Sequence, residues 1–126
     1  MRAIDTNVVV RLIVRDDPHQ TASAESFIQG GAWVSVLALA EAAWVLATVY
    51  EVTSSALATA IEMLLSHRDL VLQDPETVLA AVELFRAKPA LGFSDCLTLQ
   101  LARKAGHLPL GTFDRNLARA EGAQKL

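Results

Sequence analysis

Apolar residues in this chain occur in two alternating patterns, short continuous runs and longer stretches spaced three or four apart. The runs are Ala3-Ile4 before Asp5, Ala32-Trp33-Val34-Ser35, Leu70-Val71-Leu72, Leu108 to Thr112, and Ala123 to Leu126. Bounded by Gly, Pro or Asp, they read as strands. Between them, Asn7 to Arg15 predicts a helix, and Asp17-Pro18 predicts the start of a second, with Ala24, Phe27 and Ile28 as its buried stripe until Gly30-Gly31. Val36 to Tyr50 reads as a helix by its length and alanines, and Thr53 to His67 as another, with Leu57, Ile61, Leu64 and Leu65 on one face. Asp74-Pro75-Glu76 predicts a capped helix through Phe85, and Pro89 to Gly92 a loop. Phe93 to Ala105, stopped by Gly106, and Arg115 to Ala120 complete the helices. Strands alternating with helices predict an α/β fold, with a central, mostly parallel sheet of four to five short strands and helices on both faces.

Length and composition keep this picture to one unit. A chain of 126 residues that is 52% apolar supports a core without disulfides, and no repeat or linker divides it, so residues 1–126 are expected to form a single domain. A mean hydropathy of +0.33 favours a hydrophobic partner surface such as a homodimer interface. The net charge of −3 argues against a broadly basic nucleic-acid coat, though local clusters could hold phosphate. The single Cys96 forms no intrachain disulfide, the early apolar run is broken by Asp5 and Arg11, and Val36 to Tyr50 is too short to span a bilayer. A cytoplasmic protein with no membrane segment is expected.

Chemistry is expected from carboxylates. Asp5 ends the first strand, where open α/β sheets place ligands. Glu41 stands among Leu37, Ala38, Leu39, Ala40, Ala42, Ala43, Trp44 and Val45, with no Lys or Arg between Arg15 and Arg68. It is expected to lie against protein, where an unpaired carboxylate is costly and calls for a distant cation or a metal ion, the alternative being a Glu tipped out to solvent on a weakly amphipathic helix. Asp95 opens a helix and Asp114 follows a strand, and each serves equally well as a helix cap or a ligand. Four such acids converging on one rim would repel unless cations neutralised them. An oxygen-rich, sulfur-poor set points to Mg²⁺ or Mn²⁺ and to attack of a metal-activated water on a phosphodiester.

At these positions the chain resembles the PIN-domain nucleases, in particular the VapC-type toxins of bacterial toxin-antitoxin pairs. The likeness runs through Asp5-Thr6-Asn7, Ser35 before the helix of Glu41, Phe93-Ser94-Asp95-Cys96 with Leu101-Ala102 and Gly106, and Thr112-Phe113-Asp114. The resemblance implies a PIN-like three-layer fold with Asp5, Glu41, Asp95 and Asp114 as the catalytic metal site, supported by Thr6, Asn7, Ser35 and Thr112. It further implies an Mg²⁺-dependent endoribonuclease, a homodimer, and a cognate antitoxin that covers the site. Where many PIN domains carry a further acid just past the position of Asp114, this chain has Asn116.

Other residues add less. Arg115 is the basic residue best placed to bind phosphate, Trp33 and Trp44 read as core or dimer packing, and Cys96 as core. His19, His67 and His107 lack zinc-ligand spacing. Two rivals follow: a non-catalytic PIN-like module that binds RNA or protein, and a haloacid-dehalogenase-like phosphatase. The second needs an Asp where the chain has Asn7.

Overall fold

Five side chains set where the helices begin. Asp5, Asp17, Ser35, Thr53 and Asp114 each accept a hydrogen bond from the backbone N–H three residues on, satisfying a donor that the first helical turn would leave orphaned. The computed structural model describes residues 1–126. In chain order its elements are β1 (Arg2–Ile4), α1 (Thr6–Val14), α2 (Pro18–Ile28), β2 (Ala32–Val34), α3 (Val36–Thr48) and α4 (Ser54–Ser66). They continue with β3 (Leu70–Leu72), α5 (Pro75–Ala87), a 3₁₀ turn (Pro89–Leu91), α6 (Phe93–Ala105), β4 (Leu110–Thr112), α7 (Arg115–Ala118) and β5 (Ala123–Lys125).

The α/β class and the five strands agree with the pattern of the sequence. All pairings are parallel, but they fall into two ladders, β1-β2-β3 and β4-β5. Three-residue strands offer few ladder bonds, so each ladder relies on helix packing for its stability. Register aligns Ile4, Val34 and Leu72 across the larger sheet. All three are buried, in a core cluster of 28 buried residues that takes Leu39 and Leu46 from α3, Ile61 from α4, Val78 and Val82 from α5, and Cys96 and Leu99 from α6. The preceding cross-strand row, Ala3, Trp33 and Val71, is exposed. Trp33, 37% accessible, therefore belongs to the open side of the sheet and not to the core.

One helix start departs from the pattern read in the sequence. Asp74 gives α5 no side-chain cap. Its backbone is left-handed, with φ +51°, and its carboxylate pairs with Lys104 of α6. The ion pair tethers two helices that also pack together, α5 on α6.

Register also fixes one rim of this sheet. With Ile4, Val34 and Leu72 abreast, the next residues, Asp5, Ser35 and Gln73, emerge side by side at the carboxyl end of the sheet. The Gln73 side chain accepts from the Val36 N–H at 3.0 Å, tying the start of α3 to the end of β3.

Candidate metal centre

Asp5 reaches the rim at the end of β1, and its Oδ1 accepts from the Val8 N–H at 3.2 Å. Capping occupies one carboxylate oxygen, and the other stays free for a ligand. Thr6, the first residue of α1, donates its hydroxyl to Glu41 Oε2 at 2.8 Å. That bond spans α1 and α3, which pack together, and it joins the β1 end to Glu41.

Glu41 itself corrects an expectation. It is exposed, not held against protein. The buried stripe of α3 is Ala38, Leu39, Ala42, Ala43 and Leu46, and Glu41 lies off it with Leu37 and Trp44. A helix that is apolar nearly all round carries no stripe in its sequence, so the uncovered face could not be assigned from periodicity. Trp44, 63% accessible, is likewise outside the core.

Asp95 and Asp114 form the other half of the set of acids, at the start of α6 and just after β4. Asp95 stands in the first turn of α6, whose cap position is Gly92 and which has no side-chain cap. Its carboxylate is therefore not used for capping. Burial first, and then the negative charge of Asp114, push the Asp95 carboxyl above the ordinary carboxylate value. Of the two roles that its sequence allowed, Asp114 takes that of the cap: Oδ1 caps α7 through the Leu117 N–H at 2.8 Å. Thr112 Oγ1 accepts from the Asp114 N–H at 3.0 Å and fixes the turn. The two halves meet on α3, where Ser94 donates to the Ala40 carbonyl at 3.5 Å.

None of the four acids takes part in an ion pair; the chain's ion pairs use Asp16, Glu25, Asp69, Glu62 and Asp74 instead. The donor set of carboxylates and hydroxyls suits a hard divalent cation such as Mg²⁺. No three of the chain's Asp, Glu, His and Cys side chains are close enough to enclose one ion. The acids are paired in halves, Asp5 with Glu41 through Thr6 and Asp95 with Asp114, rather than drawn to a point.

Of the supporting residues, Thr6 and Thr112 hold acids as described, Ser35 caps α3 through the Ala38 N–H at 3.0 Å, and Asn7 is exposed beside Asp5. Arg115 opens α7 next to Asp114, exposed and in none of the ion pairs. Cys96 is fully buried. Burial, aided by Asp95, pushes its thiol up to about 11, which rules it out as a thiolate nucleophile at neutral pH. Gln73 escaped the sequence reading, because a lone glutamine after a short strand has no distinguishing pattern. Phe113, beside Asp114 in sequence, is 78% accessible.

No helix is long and apolar enough to cross a membrane. No curated protein and no solved structure matches the chain. Residues 3–123 match the family model of the PIN domain, generally a nuclease domain and one that typically uses divalent metals. With nearly the whole length matched, the chain belongs to the PIN domain family.

Proposed function

We propose that this protein is an Mg²⁺-dependent endoribonuclease acting as a single cytoplasmic domain, the toxin of a type II toxin-antitoxin pair, with Mn²⁺ able to replace Mg²⁺. The observation that carries the reading is the match of residues 3–123 to the PIN domain, supported by four acids, Asp5, Glu41, Asp95 and Asp114, none of which takes part in an ion pair. Asp5, Asp95 and Asp114 would hold the ion, with Glu41 as a further ligand or as the base that orients the attacking water. When bound, Mg²⁺ supplies charge neutralisation at the phosphodiester and a more acidic water.

The chain's own residues have separable parts in this scheme. The Thr6 hydroxyl fixes Glu41 through Oε2 and leaves Oε1 free to accept a proton from water. Ser35 and Thr112 hold the backbone that carries Glu41 and Asp114. Arg115, one residue past Asp114, is placed to offset the charge of a phosphate. Leu37 and Trp44, exposed on α3 beside Glu41, support assembly as a homodimer, since a large apolar side chain left in water gains by burial against a partner. A cognate antitoxin would inhibit by covering the acidic rim.

Inducible expression in cells tests the reading, with RNA 5′ ends sequenced for the wild type and for Asp5→Asn. Growth arrest with discrete new ends in the wild type alone is the expected result. Arrest without new ends would favour a non-catalytic module that binds RNA or protein, and new ends equal in both would overturn the role of Asp5.

A further inference from the structure

Asp5 faces two ways. Besides the rim it lines a cleft of about 510 Å³ between α1 and α2, together with Asn7, His19, Gln20, Ser23 and Phe27. A shallower depression continues past His19, Ser23 and Phe27 to Arg2, at the opposite end of β1. The two make one groove that leads from Asp5 to Arg2.

We propose that this groove is a subsite for single-stranded RNA, seating the nucleotide next to the scissile phosphate with its base between α1 and α2 and its far phosphate at Arg2. The inference rests on the ribonuclease reading and adds where the strand lies. A phosphodiester held at the acids must send its chain away from them, and this groove opens directly from Asp5. Its polar side chains are uncommitted: Asn7, Gln20 and Ser23 are exposed, and none is paired with another protein group through its side chain. Two primary amides and a hydroxyl offer donors and acceptors together, which suits the edges of an unpaired base.

Arg2 supplies the second, independent feature. Its guanidinium lies 3.8 Å from the centre of the Phe27 ring and donates to the Phe27 carbonyl at 3.0 Å. It belongs to none of the ion pairs. An arginine held flat by an aromatic ring, with no carboxylate to neutralise it, is prepared both for a phosphate and for stacking on a base. Arg11, the other arginine of the groove, is committed to Asp16 and to the Tyr50 hydroxyl.

The test compares wild type, Arg2→Ala and the double variant Gln20→Ala/Ser23→Ala, each first checked for unchanged thermal unfolding. Fluorescence anisotropy of a labelled single-stranded RNA of mixed sequence is measured in EDTA, and the ends produced from the same pool in Mn²⁺ are then sequenced. For Arg2→Ala, affinity falls for all sequences and the dependence on log salt becomes shallower by about one. For the double variant, base preference relaxes at one position beside the cut, by about tenfold for the preferred base. Wild-type cleavage with unchanged affinity and preference in both variants overturns the subsite and leaves the nuclease reading standing. A wild type that neither binds nor cuts RNA overturns both. Unchanged RNA affinity in variants that lose a copurifying protein would assign the groove to a protein and also overturn the subsite.

Discussion

Thr6 is the smallest group on which the proposed chemistry depends. Its hydroxyl holds Glu41, which is exposed and has no other recorded side-chain partner. Removing that hydroxyl without changing shape should leave the fold intact while letting the carboxylate explore other rotamers. For Thr6→Val, RNA cleavage is expected to fall by about tenfold, since loosened positioning is costly even where no chemical group is lost. Thermal unfolding should change by less than about 1 kcal/mol, the size of one exposed hydrogen bond. Glu41 also marks a limit of sequence reasoning at this scale. Its identity stood out because the surrounding residues are apolar, but those same neighbours suggested burial. What decides its exposure is that α3 leaves Leu37 and Trp44 uncovered, a fact of tertiary packing.

Helix starts were the best written feature of the chain at the scale of elements. Asp17-Pro18, Ser35 and Thr53 sit where the caps form, because a short polar side chain before an apolar helix has few better uses. Ser35→Ala is therefore expected to destabilise the protein by about 1 kcal/mol, measured by urea denaturation. Asp74 had the same local signature, yet long-range pairing overrode it: its left-handed backbone accompanies an ion pair with Lys104, thirty residues away. That pair makes a pH prediction. The hydrogen bond from Lys104 is the main cause that lowers the Asp74 carboxyl below its ordinary value of 3.8. A depressed folded-state value means that the stabilisation is present above 3.8 and is lost as pH falls below it. Lys104→Met should accordingly unfold at a lower temperature than wild type at neutral pH. The gap should close in acid, and at neutral pH it should correspond to about 0.5 kcal/mol or less, as Lys104 is largely in water.

For the whole molecule, the alternation of strand and helix was enough to read the α/β class, but not the division of five strands into two ladders. Pairing between three-residue strands leaves almost no local trace, because partners are set by where the helices between them pack. The open row of Ala3, Trp33 and Val71 was hidden for the same reason. The placing of the acids was legible in part: Asp5 follows β1 and Asp114 follows β4, while the nearness of Asp95 to Asp114 depends on how β4 is brought to α6. On the proposed reading, a divalent cation held by those acids binds the folded protein and not the unfolded chain. Mn²⁺ should thus raise the unfolding temperature, by about 2.7 kcal/mol in stability at a hundredfold excess over its dissociation constant. Asp95→Asn should lose most of that response.

Cleavage of single-stranded RNA by purified protein tests the central claim most directly, that carboxylates of this rim hold the metal for hydrolysis. Asp5→Asn is the sharpest variant, because the amide oxygen can still cap α1 while the ligand charge is gone. The account predicts cleavage by wild type in Mg²⁺, none in EDTA, and a loss of about a hundredfold or more in Asp5→Asn with thermal unfolding preserved. Undiminished cleavage in EDTA, or by folded Asp5→Asn, would contradict it.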